Sequence, residues 1–149
     1  MTEEQKKMHK KLAVDCFNKT WDFIDKKERT EDEEREMIHT AHASLFHWMQ
    51  IGTPLEFARG EWQVSRVYSV LELGEGALLH GMASLDLCSA NDIEDFDMAF
   101  GYEAVARAYM VLGFEDKMQE YLDLALKAAE DIKDKGDKDY TLSEIGNIK

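Results

Sequence analysis

"RVYSVL" occupies residues 66–71, and "RAYMVL" occupies residues 107–112, 41 positions later. A shift of 41 also pairs Ala58 with Ala99, Gly60 with Gly101, and Leu85 with Leu126. The match runs along one helix-length segment and into the next, so the repeated unit is a helical hairpin. Repetition at this period marks an array in which each hairpin buries its apolar side only against its neighbours.

Helix boundaries are written locally. Thr2 with Gln5, Thr30 with Glu33, Thr53 with Glu56, Asn91 with Glu94 and Thr141 with Glu144 have the spacing of a capping box or its close relative. In that device the first side chain caps an exposed N–H and the second reaches back. Pro54 suits a first helical position, and Gly52 and Gly113 suit helix ends. These signals predict helices over 3–27, 31–51, 54–73, 75–90, 93–112, 115–135 and a short 141–148. The first carries an apolar ridge of Ala13, Phe17, Trp21 and Ile24. In the fifth, only Glu103 and Arg107 are charged between Met98 and Leu112, which predicts enclosure on nearly every side.

Taken together these residues resemble the tetratricopeptide repeat family, whose pattern is W-x2-L-G-x2-Y followed by spaced small residues. Tyr102, Val105, Ala106 and Tyr109 fall on that spacing, then Gly113 at the turn and Met118, Leu122 and Ala125 in the second helix. Val64, Ser65 and Tyr68, then Ala77, Gly81 and Ser84, form the other copy. The period is 41 rather than about 34, Glu61 stands where the tryptophan would be, and the closing proline is absent. The resemblance implies an all-α superhelix of three stacked antiparallel hairpins, near 3–51, 54–90 and 93–135, closed by a C-terminal cap over 141–148.

Bulk properties agree with one such domain spanning 1–149. Of 149 residues, 44% are apolar and 33% charged, the mixture of a globular chain, and Pro54 is the single proline. A net charge of −13 repels polyphosphate, so nucleic acid and anionic lipid are poor partners. No segment has the make-up of a signal peptide or a membrane span, which predicts a cytoplasmic protein. Cys16 and Cys88 read as buried free thiols.

In the family that the chain resembles, the first helix of each hairpin lines a concave groove for a peptide. Arg66 and Arg107 would point there. Four-residue spacing lets Arg66 lie over the Trp62 indole and lets Arg107 pair with Glu103. The expected role is non-catalytic: a protein- or peptide-binding or assembly module without a cofactor. Trp62, Arg66, Glu103 and Arg107 would take an acidic segment or a carboxylate terminus in arginine forks. The same arginines could instead satisfy neighbours between hairpins. Self-association through the groove is a further expectation.

The enzyme alternative rests on "EMIHTAHASLFHW", residues 36–48, with a Glu-x-x-His spacing at Glu36 and His39. A small-molecule or metal-assisted activity would draw on Glu36, His39, His42, His47 and His80. At about 100° per residue, Glu36, His39 and His47 lie opposite the apolar face, whereas bundle ligands point inward. His42 sits at the margin of that face and reads as a hydrogen-bonded packing residue.

Overall fold

Two capping boxes open the leading hairpin. The Thr2 and Thr30 hydroxyls accept from the Gln5 and Glu33 backbone N–H groups, and the Gln5 and Glu33 side chains accept in return. The computed structural model describes all 149 residues as seven helices and no strand. These are α1 (Glu3–Ile24), α2 (Glu31–Ile51), α3 (Pro54–Val70), α4 (Gly74–Ala90), α5 (Phe96–Leu112), α6 (Glu115–Glu130) and α7 (Lys135–Ile145).

Several helices end earlier than predicted, at Ile24, Val70, Glu130 and Ile145, and three predicted caps act otherwise. The Thr53 hydroxyl donates to the Glu56 carboxylate at 2.6 Å rather than capping a backbone N–H, and Pro54 starts the helix. Asn91 follows α4, donating its side-chain amide to the Leu87 carbonyl, and α5 begins only at Phe96. The last helix starts at Lys135, where the Asp134 carboxylate accepts from the Asp137 N–H. Thr141 lies inside that helix, fully buried, with its hydroxyl donating to the Asp137 carbonyl.

Adjacent helices pack in pairs, α1 with α2, α3 with α4 and α5 with α6. The first helix of each pair also touches the first helix of the next, so α1, α3, α5 and α7 run side by side. The second helices have no such contact with one another.

The 41-residue shift is a physical equivalence. The Leu73 N–H donates to the Tyr68 carbonyl at 2.8 Å, and the Phe114 N–H donates to the Tyr109 carbonyl at 3.0 Å. Each closes a turn through one left-handed residue, Glu72 at φ 61° and Gly113 at φ 81°. Tyr68 stacks on His80 with ring centroids 5.6 Å apart, and Tyr109 meets Tyr121 at 5.7 Å. Gly60 lets α3 close on Leu45, where a Cβ would come within 2.7 Å of Cδ1. Gly101 does the same against Leu85, with a Cβ 3.2 Å from Cα.

The leading hairpin shares this plan. Ser44 donates its hydroxyl to the Ala13 carbonyl at 2.7 Å and Ser84 to the Ala58 carbonyl at 2.8 Å. All four residues are buried, as are Ala99 and Ala125 in the third hairpin. Small side chains at these crossings let paired helices approach until a hydroxyl reaches a main-chain oxygen. The satisfied hydroxyl keeps a buried polar group from costing stability. Two apolar clusters flank the crossings. One contains Phe23, Met37, Leu45, Val64 and Val67; the other contains Ala99, Ala129, Ile132 and Ile145.

Candidate functional site

Because α1, α3, α5 and α7 lie side by side, residues from all four meet on one surface. Trp21 of α1, Trp62 of α3, Phe100 of α5 and Tyr140 of α7 form a run of rings. Successive centroids lie 5.7, 5.4 and 6.1 Å apart. Such offset and edge contacts suit aromatic quadrupoles. The rings line a cavity of about 180 Å³, with Phe17 and Phe96 adding further aromatic wall and Ala58, Ser84 and Cys88 also lining it. At its edge Arg59 donates Nε and Nη2 to the two Asp97 carboxylate oxygens, both at 3.0 Å, while its guanidinium lies 5.3 Å from the Phe96 ring centre. Burial pushes the Cys88 thiol up to about 11, with the Asp97 charge adding to the effect.

Trp21 and Tyr140 also line a more open recess of about 640 Å³, whose charged walls are Asp25, Arg66 and Glu144. Arg66 places its guanidinium 5.1 Å from the Trp62 ring centre, the stacking that four-residue spacing predicts. It donates Nη2 to Glu103 at 2.7 Å, and its Nη1 lies 3.9 Å from a Glu144 oxygen. Arg107 donates to the same Glu103 oxygen at 3.4 Å and to the Glu144 carbonyl at 3.2 Å. Glu103 has no solvent exposure. Burial pulls the Arg107 guanidinium below its ordinary range, with the Glu103 charge opposing.

The structure therefore brings Trp62, Arg66, Glu103 and Arg107 together, with both arginines paired between hairpins. The arginine forks meet Glu103 and the Glu144 carbonyl, which link α3, α5 and α7, so the forks are not aimed at an outside carboxylate. What remains without a partner in the protein is a set of single buried atoms: Trp62 Nε1, Arg66 Nε, Glu103 Oε2 and Arg107 Nε. Arg59, Phe96, Asp97, Phe100 and Tyr140 were not among the expected groove residues. For Phe96 and Phe100 the signal was their i, i+4 aromatic spacing, shared by Phe17 with Trp21, on first helices; Arg59, Asp97 and Tyr140 had none.

The histidines of α2 do not converge. Glu36 accepts from Lys19 at 2.8 Å, and His39 is exposed. His42 shares a hydrogen bond with the Tyr68 hydroxyl at 2.9 Å, as a packing residue would, and burial lowers its pKa, with His80 adding to the effect. His47 is not on a fully solvated face: its Nδ1 sits 2.9 Å from His9 Nδ1, and burial lowers its pKa too. His80 pairs with Glu61 at 2.6 Å. No three His, Cys, Asp or Glu side chains are arranged to hold a metal ion. Cys88 is buried and Cys16 only half-buried, and both are free. No helix is long and apolar enough to cross a membrane.

No protein-family model matches this chain, and neither a curated protein nor a solved structure matches it.

Proposed function

We propose that the chain is a non-catalytic binding module of the tetratricopeptide-like kind, holding a peptide segment against the face built by α1, α3, α5 and α7. The repeated Gly60–Leu45 and Gly101–Leu85 crossings and the two equivalent tyrosine turns support a regular stacked array. The observation that carries the functional step is the aromatic cavity. Four alternate helices each contribute a ring to a space of about 180 Å³, comparable to the roughly 150 Å³ that accepts a benzene ring. One apolar side chain of a partner would fill it. The Trp62 N–H, buried and without an acceptor, would donate to a main-chain carbonyl of that partner. The titratable cluster of Glu61, His80 and His42 lines neither the cavity nor the recess, so it supplies no acid or base at this face.

Selection from a displayed random peptide library tests the reading. Enriched peptides should share an apolar residue and lose affinity at least about tenfold on Trp62→Ala, the behaviour of a buried anchor. They should be indifferent to Leu79→Ala, an exposed position on α4. Circular dichroism should show that both variants keep their helices. Peptides that bind the Trp62 variant undiminished would sink the proposal.

A further inference from the structure

We infer that the segment taken by this face carries a basic side chain next to its apolar one; this rests on the groove reading above. The cavity is almost wholly apolar, and its one charged pair, Arg59 with Asp97, is closed on itself by two hydrogen bonds. Charge selection must therefore come from the adjoining recess, which shares Trp21 and Tyr140 with the cavity.

There the balance is negative. Arg66 and Arg107 are offset by Glu103 and Glu144, through contacts of 2.7 Å and 3.4 Å to Glu103 and 3.9 Å to Glu144. Asp25, exposed at the end of α1, makes no ion pair and leaves one carboxylate in excess. The whole chain adds a field of −13. Trp21 and Tyr140 border the recess, and the negative face of an aromatic ring favours a cation over an anion. An ammonium or guanidinium here would gain the unpaired Asp25 carboxylate beside the rings of Trp21 and Tyr140. A carboxylate would meet Asp25 and Glu144 with both nearby arginines already engaged.

Four capped tripeptides test this by 1H–15N NMR, read on the indole N–H signals of Trp21, Trp48 and Trp62. They are acetyl-Lys-Phe-Lys-amide, acetyl-Glu-Phe-Glu-amide, acetyl-Gln-Phe-Gln-amide and acetyl-Lys-Ala-Lys-amide, symmetric so that chain direction does not matter. The lysine–phenylalanine peptide should move the Trp62 and Trp21 signals and bind about tenfold tighter than the glutamate peptide, as charge complementarity of this size predicts. The preference should collapse at about 0.5 M NaCl. It should also collapse in Asp25→Asn/Glu144→Gln, a variant that keeps an acceptor for the Tyr140 hydroxyl, which donates to Glu144 at 3.0 Å. Equal or tighter binding of the glutamate or glutamine peptide overturns this inference and leaves the groove reading standing. Silence of the Trp62 signal with all three phenylalanine peptides overturns both. A response to the alanine peptide equal to that of the lysine–phenylalanine peptide overturns both, because the cavity would then have no part in recognition.

Discussion

Arg66 donates to Glu103 at 2.7 Å across the boundary between the second and third hairpins, and Glu103 is completely buried. One carboxylate thus answers two guanidinium groups, since Arg107 reaches the same oxygen at 3.4 Å. The pair is a joint between repeats, placed directly behind the proposed binding face.

That arrangement makes the three residues unequal. Glu103→Ala leaves two largely buried cations facing one another and should cost about 3–5 kcal/mol, the penalty of an uncompensated buried charge. Arg66→Ala leaves Glu103 with Arg107 and should cost less. Urea denaturation of the two variants checks the order. A Glu103→Ala variant as stable as wild type would show that the joint contributes nothing to stability.

The two equivalent turns differ in one residue, and the difference should be measurable. Glu72 holds φ 61°, whereas Gly113 holds φ 81° in open space, where an added Cβ would meet no atom within 4 Å. Glu72→Gly should stabilise by about 0.5–1 kcal/mol, net of the greater freedom of glycine in the unfolded chain, and Gly113→Ala should cost about 1 kcal/mol. Thermal melts of both, with the doubly substituted chain near wild type, would bear this out.

Acid should weaken the fold through His42. Burial and the neighbouring His80 depress its folded pKa below the ordinary 6.5. The unfolded chain therefore takes up the proton first. The contribution is fully present above about pH 6.5 and is lost as pH falls through the lower folded value. His47, depressed by burial and by His9, acts in the same direction. His42→Gln keeps a partner for the Tyr68 hydroxyl and cannot titrate, so its urea midpoint should fall less steeply between about pH 7 and 5. Parallel pH profiles would assign the slope elsewhere.

The two thiols should separate kinetically. Cys88 is buried against the aromatic cavity with its thiol pushed up to about 11 from an ordinary 9.0, whereas Cys16 is half-buried. At pH 8, Ellman's reagent should modify Cys88 about a hundredfold more slowly than an unshifted thiol, from the smaller thiolate fraction alone. Mass spectrometry of the partly modified protein should place the early label on Cys16. Early labelling of Cys88 would mean that the cavity opens readily.

The array of helices was legible because its signals are local. Thr2, Thr30 and Pro54 mark helix starts within a few residues, and a 41-residue echo places Tyr68 and Tyr109 in matching turns. Local signals also misled where two candidates competed: Asp134, not Thr141, caps the last helix, because Thr141 is drawn into the core.

By itself the sequence determined the helical hairpins, their period, the enclosure of the fifth helix and the stacking of Arg66 on Trp62, since each depends on residues a turn or a repeat apart. Only tertiary structure decided which carboxylate Arg66 takes and that Arg107 also reaches the Glu144 carbonyl. No carboxylate stands four residues from Arg66 on α3, and the spacing of α3 from α5 brought Glu103 within 2.7 Å. The aromatic cavity belongs to the same class of outcome. Phe17, Trp21, Trp62, Phe100 and Tyr140 come from four helices, and their meeting is set by the side-by-side packing of α1, α3, α5 and α7, which no short spacing in the sequence encodes.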